Sequence, residues 1–309
     1  AAAARPPVVE GMPLPAELAG GEAYTFAGPH GPVATNPNNP NPNNPNPNPA
    51  SAAAAFARAG LCCVRGLVSR ELSLRALAQA TASLRELFAL MAARGVALEQ
   101  GTKGGFAEVV QRSEGRYEMN YGMTEGVFDD AEFVDNAWLR AFVSEAIGGP
   151  EWELNRRSLL ISFPGAEGQQ WHVDGDHLVK RRHAPAHAIN AFVALGDITL
   201  DMGPTELRPA SHFLTRKLFK MMMLARARKQ LHAPVMPTAR SGDAVIFDYR
   251  TLHRGTANSS DRPRAMLELV FFRKGYSDLL NFPKRSVMDP PAPRGGETGD
   301  EEAGAVEDS

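Results

Sequence analysis

Residues 242–256 read Gly-Asp-Ala-Val-Ile-Phe-Asp-Tyr-Arg-Thr-Leu-His-Arg-Gly-Thr, and this stretch decides the fold. After Gly-Asp, the run from Ala244 to Tyr249 is rich in β-branched and aromatic side chains, which is typical of a strand. His253 follows that run closely, so a strand would deliver one histidine to its own end. The stretch therefore predicts a β-rich fold with chemistry at a strand end.

Similar short runs surround this one and alternate with turn signals. Several short strands at close spacing are typical of a sandwich or a barrel. A basic, methionine-rich segment interrupts them and is predicted to be helical, from Ser211 to about Leu231. The predicted strands are Leu159 to Phe163, Ala188 to Leu195, Thr205 to Arg208 and Ala265 to Phe272.

Before these strands, the sequence predicts one further strand and two helices. Gly60 to Val68 predicts a short strand, and Ser69 predicts the N-cap of a helix. That helix is expected over Arg70 to Arg94, with Gly95 as its stop, and a second helix over Ala131 to Ile147.

Both ends of the chain have the composition of tails. Residues 1–52 are rich in proline and asparagine, with an Asn-Pro tract over Asn36 to Pro49, and cannot supply a core. Residues 289–309 are acidic and rich in proline and glycine. We therefore expect one ordered domain over residues 53–288, between two disordered tails.

Composition sets limits on the class of protein. Hydrophobic residues make up 43% and charged residues 22% of the 309, which is ordinary globular usage. A net charge of −2 gives no reason to expect nucleic acid, and no apolar run is long enough to span a membrane. The only cysteines, Cys62 and Cys63, are adjacent, which favours an intracellular, cytoplasmic location. Because the sequence begins without methionine, targeting to an organelle stays open.

A spaced triplet of metal-ligand side chains points to the chemistry. His172 and Asp174 stand two apart in the run Gln-Gln-Trp-His-Val-Asp, and residues two apart on a strand point to one side. His253 could join them from a distant strand. Two imidazoles and one carboxylate on one face of an ion leave three positions open, as in non-haem Fe(II) oxygenases. The sequence therefore predicts a catalytic metal centre at these three residues.

Other interpretations of the triplet remain open at this point. An isolated His-x-Asp is common by chance, and rival histidines are present at His177, His183, His187 and His212. Zinc also takes two histidines and a carboxylate, but the His-Glu-x-x-His helix usual in hydrolytic zinc sites is absent from the sequence. Mixed nitrogen and oxygen ligation with open positions favours Fe(II).

Three blocks of sequence together resemble the phytanoyl-CoA dioxygenase-like family of Fe(II)/2-oxoglutarate-dependent oxygenases. The resemblance extends roughly over residues 53–277. It implies a mainly β fold with flanking helices, a double-stranded β-helix (jelly roll, cupin-like). The blocks are Phe56 to Val68, Trp171 to Asp174 with Ala191 to His212, and Gly242 to Asn258 with Arg264. The first block is weakly specific, whereas the second and third together are strong.

The resemblance also implies roles for residues beyond the three iron ligands. Arg264 would pair with the distal carboxylate of 2-oxoglutarate by charge-assisted hydrogen bonds, and Thr256 would add a hydroxyl. Asn190 and Phe192 are expected to line the co-substrate pocket. The chain departs from the family at Ala210, where glycine is frequent, and we expect this to change a turn and not the chemistry.

The implied activity is hydroxylation of a small organic substrate, with anionic and acyl compounds as candidates. Fe(II), 2-oxoglutarate and O2 would be required, with ascorbate as reductant. Related halogenases lack the carboxylate ligand, so Asp174 favours hydroxylation. The basic run Lys180 to His183 is a candidate for attracting an anionic substrate, and Gly115 to Asn120 is a candidate wall of the substrate pocket. A solvated loop and ordinary packing explain these two segments equally well.

Two other classes of function stay open on the sequence alone. One is a non-catalytic jelly-roll subunit that docks into a larger assembly through its tails and the basic segment Arg216 to Gln230. The other is a cupin-like Zn(II) or Mn(II) enzyme that does not use 2-oxoglutarate. Iron content and binding of 2-oxoglutarate separate these alternatives from the dioxygenase.

Overall fold

The computed structural model of the chain describes residues 25–30, 48–179, 182–215, 220, 223, 232–278 and 281–289. Four α-helices and ten strands lie within these residues. The helices are α1 (Pro49–Ala59), α2 (Arg70–Ala93), α3 (Ala131–Val134) and α4 (Ala137–Ile147). The strands are β1 (Thr25–Ala27), β2 (Leu61–Arg65), β3 (Val109–Ser113), β4 (Arg116–Met119), β5 (Trp152–Ser162), β6 (Ala188–Ala194), β7 (Thr205–Leu207), β8 (Ala244–Asp248), β9 (His253–Gly255) and β10 (Arg264–Arg273).

The strands form two sheets. Eight of those described lie in the order β1-β2-β8-β6-β10-β5-β4-β3, antiparallel except for the parallel pair β1–β2. β7 and β9 form a small antiparallel sheet, which single bridges extend from His172 to His253 and from Leu207 to Val235. This is a mainly β fold with flanking helices, a jelly roll, so the predicted fold class is confirmed.

The large sheet has a core on each face because neighbouring side chains on a strand point to opposite sides. On one face Ala191 and Leu267 pack in the cluster that contains helix residues such as Leu87 and Phe142. On the other face Phe192, Met266 and Phe247 pack with Leu207 of the small sheet. With both faces covered, β6 is buried along its whole length and β10 along all but its last residue, and the space between the two sheets is where a site can form.

The helix signals in the sequence are partly correct. α2 begins after Ser69, whose Oγ accepts the N–H of Leu72 at 3.4 Å, and Gly95 follows its end with φ +63°. The single helix predicted over residues 131–147 is wrong, because two helices occupy that range. Asn136 separates them, since its side chain accepts the N–H of Leu139 at 3.1 Å and caps α4.

Two pieces of the predicted N-terminal tail are ordered in the structure. β1 pairs with β2, with Phe26 opposite Val64, and Phe26 packs against the main core. α1 begins at Pro49, ahead of the expected boundary, because the Asn48 side chain caps it with a 3.0 Å bond to Ala50 N–H. Residues 1–24, 31–47 and 290–309 lie outside the described residues, so the domain limits of 53 and 288 stay a prediction.

Two further predictions are tested only in part. Of the helix predicted over residues 211–231, Ser211–Phe213 forms a short 3-10 turn, and nearly all of 216–231 lies outside the described residues. None of the helices that the structure describes combines the length and the apolar character needed to cross a lipid bilayer.

Candidate metal centre

A cavity of about 670 Å³ opens between the two sheets. Its wall includes residues from β4, β5, β6, β9 and β10, together with the segment that runs from Glu167 to Asp174. The predicted triplet, Arg264 and Phe192 all contribute to this wall. The site predicted from separate stretches of sequence is therefore one place in the structure.

Backbone pairing brings the three predicted ligands together. His172 and His253 exchange two backbone hydrogen bonds, of 3.0 and 2.9 Å, and Asp174 N–H donates to Tyr249 O at 2.9 Å. As a result His253 Nε2 lies 3.4 Å from Asp174 Oδ2, and His172 Nε2 lies 3.9 Å from Asp174 Oδ1. The three ligand atoms all lie within 4.8 Å of one another, which places them around a common point.

Backbone carbonyls fix the tautomer of both histidines. His172 Nδ1 lies 2.8 Å from Gln170 O, and His253 Nδ1 lies 2.9 Å from Thr251 O. Because a carbonyl only accepts, each Nδ1 carries a proton, so in a neutral ring the lone pair lies on the Nε2 that faces the carboxylate. Burial lowers the pKa of His253, and the proximity of His172 lowers it further against the opposing effect of Asp174. A neutral imidazole with a free Nε2 is the form that binds a metal.

Asn190 has a different position from the one expected. Its Nδ2 donates to Asp174 Oδ2 at 2.7 Å, so it contacts the carboxylate instead of lining the cavity. Asn190 lies on β6, which neighbours β8, and Tyr249 at the end of β8 holds the backbone of Asp174. The side-chain amide of Asn190 therefore fixes the orientation of the Asp174 carboxylate.

Arg264 lies at the start of β10 and is 3% exposed. Its Nη1 donates to Gly203 O, whereas its Nε has no hydrogen-bond partner among the described residues. None of the acidic side chains that the structure describes forms an ion pair with it. Burial and the neighbouring charge of Arg116 lower the pKa of Arg264 to about 9. A buried guanidinium of this kind is suited to an anionic ligand.

Phe192 and Thr256 were also expected at the pocket. Phe192 lies in the cavity wall, with its ring edge-on to Phe247 at 4.8 Å between centroids. Thr256 does not belong to that wall, and its hydroxyl donates to Pro204 O at 2.8 Å. The neighbouring Gly255 faces the cavity, and the alternation along β9 turns Thr256 to the other side.

The rival histidines lie apart from the triplet. His177 Nε2 is 3.1 Å from Thr215 Oγ1, and His212 Nε2 is 3.2 Å from Ala57 O. His183 packs against His212, and His187 packs against Tyr276. Within the described ranges, the one group of three such side chains close enough to share an ion is the triplet itself.

A network of charged side chains in the same cavity was not predicted from the sequence. Arg112 Nε donates to Glu118 Oε2 at 2.7 Å, and Ser158 Oγ donates to Glu268 Oε2 at 2.5 Å. Arg156 Nη2 lies 3.4 Å from Glu268 Oε2. Burial and the charge of Glu118 raise the pKa of Glu268 to about 8. For Glu118 burial acts upward too, but Arg112 and Arg156 outweigh it and hold the pKa below its ordinary value.

One signal could have revealed this network. Glu268 interrupts the apolar strand β10 four residues after Arg264, an even spacing that puts both side chains on one face. The candidate wall over Gly115 to Asn120 does contribute Arg116, Tyr117 and Glu118 to the cavity. Two residues of the basic run at Lys180 to His183 lie outside the described residues, so its role stays a prediction.

The sequence is similar to those of known dioxygenases. The model of the phytanoyl-CoA dioxygenase (PhyH) family matches residues 56–266. A stretch of 133 residues is 29% identical to the ectoine dioxygenase of Halomonas elongata. This stretch covers 36% of this chain and 40% of that protein. A stretch of 100 residues is 30% identical to the dioxygenase easH of Epichloe festucae var. lolii. This stretch covers 31% of this chain and 50% of that protein. The matches therefore span half or less of the length of these curated relatives.

Solved structures agree in fold. The epimerase SnoN, solved in complex with Fe3+, alpha ketoglutarate and nogalamycin RO, superposes with a TM-score of 0.53 at 18% identity, over 84% of this chain and 96% of that one. At that identity the likeness shows the fold alone. The family match covers more than half of the chain, from before β2 into β10, and includes all three residues of the triplet. The chain belongs to the phytanoyl-CoA dioxygenase family.

Proposed function

We propose that the chain is an Fe(II)- and 2-oxoglutarate-dependent dioxygenase that hydroxylates a small organic substrate. The observation that carries this proposal is the convergence of His172, Asp174 and His253 in a cavity that also holds the buried Arg264. Family membership supports the reaction class, and SnoN, which has the same fold, was solved with iron and alpha ketoglutarate.

The donor set fits iron. Two imidazole nitrogens and one carboxylate lie close together in the cavity wall and would hold Fe(II) there, which would leave the cavity itself for further ligands. Both imidazoles are oriented by their Nδ1–H bonds to carbonyls, and Asn190 orients the carboxylate. Such outer partners keep ligands in the geometry that a metal requires.

The cavity also fits 2-oxoglutarate. Arg264 would supply a buried positive charge for the distal carboxylate, and among the described residues no acid forms an ion pair with it. Met266 lies two residues further along the same strand face, and Phe192 lies on the neighbouring strand β6. These apolar side chains can flank the two methylene groups, while the keto acid end reaches the triplet.

Iron held by these residues would, with 2-oxoglutarate and O2, supply oxidative insertion of one oxygen atom into a substrate C–H bond, with succinate and CO2 as co-products. The chain itself binds and orients these reactants. The small sheet covers the site from one side and the large sheet from the other, which restricts the access of water. Holding the substrate C–H bond close to the reacting centre is a contribution that the protein itself makes to the rate.

The wall of the cavity supports a polar substrate. Glu118, Arg156 and Glu268 line it on the same sheet face as Met266. A long acyl chain laid against these groups would separate them from water without replacing its hydrogen bonds, which is costly. A small molecule with hydroxyl, amino or carboxylate groups would meet complementary partners there.

The test is succinate release from 2-oxoglutarate by purified protein with Fe(II) and ascorbate, screened against polar metabolites. We expect Asp174→Ala to abolish iron binding and turnover, because two imidazoles alone hold Fe(II) weakly. Asp176→Ala is the matched control, since this exposed acid lies two residues away and outside the cavity wall. It should retain both iron and turnover.

The outcomes separate the competing classes. Full turnover in Asp174→Ala would remove the assigned ligand. Metal binding without any binding of 2-oxoglutarate would favour a cupin-like enzyme of another kind, and binding of both without turnover across the screen would favour a non-catalytic subunit. A product heavier by one oxygen atom establishes hydroxylation, whereas a product of unchanged mass indicates an epimerase, the activity named for SnoN.

A further inference from the structure

The network of charged side chains in the cavity lies level with the metal ligands. Arg156 of β5 is opposite Val270 of β10, and Val270 is in turn opposite Asn190 of β6. The amide of Asn190 holds the Asp174 carboxylate. Residues in register across neighbouring strands stand side by side, whereas Arg264 stands apart at the start of β10. The part of the cavity around Arg156 is therefore next to the triplet and stays available for the substrate.

The charges in this network alternate in sign. Arg112 Nε donates to Glu118 Oε2 at 2.7 Å. Arg156 comes next, 3.6 Å from Glu118 Oε1 and 3.4 Å from Glu268 Oε2. All four side chains line the cavity. A ligand placed here meets a positive and a negative group side by side, so a ligand with a single charge would be repelled by one of them.

The members of the network differ in how well they are bonded. Arg112 makes three hydrogen bonds, of 2.7, 3.2 and 2.9 Å. Nε of Arg156 is buried without a hydrogen-bond partner among the described residues, since Glu118 lies beyond hydrogen-bond length. Glu268 is 2.5 Å from Ser158 Oγ, but its contact with Arg156 is long. Arg156 and Glu268 are thus the two members that can bond to a further group.

The electrostatic state of Glu268 agrees with a missing cation. Burial and the charge of Glu118 raise the pKa of Glu268 to about 8, although Arg156 and Ser158 act in the opposite direction. The Glu268 carboxyl group is therefore protonated at neutral pH. A ligand ammonium group beside it would stabilise the ionised carboxylate instead.

An aromatic side chain covers this part of the cavity. The ring centroid of Phe282 lies 5.4 Å from Arg112 Cζ and 5.5 Å from Arg156 Cζ. The neighbouring Asn281 lines the cavity, and its backbone carbonyl accepts from Arg112 Nη2 at 2.9 Å. Charges shielded from water interact more strongly, and an unpaired one costs more. The cover therefore favours a small ligand that pairs with each charge it meets.

We propose that Arg156 and Glu268 bind the substrate, and that the substrate is a small zwitterion of the amino-acid type. Its carboxylate accepts from Arg156, and its ammonium group donates to Glu268. This inference rests on the proposed function, which leaves hydroxyl, amino and carboxylate groups open. A zwitterion adds no net charge to the cavity, whereas an amine or a carboxylate alone adds a charge without a partner.

The test measures binding to the full chain loaded with Mn(II) and 2-oxoglutarate, so that no turnover occurs. The probes are the free α-amino acids, their N-acetyl derivatives and their carboxamides, compared by calorimetry. Acetylation removes the positive charge and amidation removes the negative charge, while the side chain stays the same. The free amino acid that binds best should exceed each of its two derivatives by about 10- to 100-fold, the factor that a hydrogen bond to a charged group is worth.

Two variants assign the two charges to residues. Arg156→Met should remove the preference for the free amino acid over its carboxamide, and keep the preference over the N-acetyl derivative. Glu268→Gln should do the reverse. A merely structural role would weaken all three ligands alike. Variants that keep both preferences would overturn the roles of Arg156 and Glu268.

Arg157→Met is the matched control. Arg157 follows Arg156 on β5 and projects to the other face of the sheet, where its guanidinium donates to Phe128 O and Asp129 Oδ1. It does not belong to the cavity wall. Its variant should bind all three ligands as the wild type does.

The failures are distinguishable. A wild-type chain that binds neither Mn(II) nor 2-oxoglutarate overturns the proposed function, and this inference with it. A loaded chain that binds no free amino acid, or that binds a blocked derivative as tightly as the free one, overturns only the zwitterion. If Arg156→Met does not fold, Arg156→Gln and the comparison of the three ligands on the wild type decide the question.

Discussion

Asp174 is held from two directions, and its partner Asn190 was not anticipated in that role. The amide of Asn190 donates to Oδ2 at 2.7 Å, and the same oxygen lies 3.4 Å from His253 Nε2. Removing the amide leaves the carboxylate free to rotate. We expect Asn190→Ala to lower metal affinity by about 10- to 100-fold, as loss of such outer partners commonly does. Competition with a chelator measures the change.

Asn155→Ala provides the control for this substitution. Asn155 lies exposed on β5, with its nearest hydrogen-bond partner at Glu153 on the same surface. Its variant should bind metal as the wild type does. Equal affinities for the Asn190 variant and the wild type, with both folded, would contradict a positioning role for Asn190.

The residues that the sequence could identify are those whose roles follow from local spacing. His172 and Asp174 are two apart, and this alone puts them on one side of an extended segment. Thr256 and Asn190 could not be placed in the same way, because which face they occupy depends on where β9 and β6 pair. Arg116 belongs to the candidate wall Gly115 to Asn120 but could not be singled out within it, because its buried N–H groups without a partner among the described residues become visible only when the cavity is formed.

At the scale of elements, strands with two covered faces were easy to predict. β6, β8 and β10 are apolar along nearly their whole length and were expected within one or two residues of their bounds. The hairpin of β3 and β4 was missed because it carries Arg112, Arg116 and Glu118, whose polarity masks a strand pattern. These charged residues line the cavity, so the polarity of the proposed site obscures the strand pattern of the hairpin.

β10 also contains a buried carboxyl group, that of Glu268, whose pKa is raised. The pKa of Glu268 is raised to about 8 by burial and by the charge of Glu118, above the value that an unfolded chain gives a glutamate. The folded state therefore keeps a proton that the unfolded state loses. The stability that this proton provides is full below the unfolded pKa and is lost as pH rises through about 8.

We therefore expect Glu268→Gln, which keeps a neutral group of the same shape, to gain thermal stability relative to the wild type as pH rises. Melting temperatures measured from about pH 5 to about pH 9 should show a difference that widens toward the alkaline end. Glu153→Gln, an exposed change on β5, should show a constant difference. Parallel curves for the wild type and Glu268→Gln would contradict a raised pKa at this position.

At the scale of the whole molecule, the site joins parts of the chain that are far apart in sequence. The proposed metal ligands come from the segment before β6 and from β9, and the two buried arginines of the cavity come from β4 and β10. The large sheet contributes one wall and the small sheet carries His253. A metal ion and a dicarboxylate bound there would cross-link both sheets, which the protein's own contacts join mainly through apolar packing such as Leu207 against Phe192.

Binding should consequently stabilise the entire fold. A ligand that binds only the folded state at about 100 times its dissociation constant adds about 2.7 kcal/mol to the free energy of unfolding. For a domain of this size that corresponds to a rise of about 5 °C or more in melting temperature. We expect the rise when Mn(II) and 2-oxoglutarate are added together, and its reversal by a chelator.

The same variants locate the origin of this stabilisation. Asp174→Ala should remove the rise from both metal and 2-oxoglutarate, because the co-substrate reaches the site through the metal as well as through Arg264. Asp176→Ala should keep it. An equal rise in the melting temperature of Asp174→Ala would mean that Mn(II) and 2-oxoglutarate bind elsewhere on the surface. Binding at the triplet would then not be the source of the stabilisation.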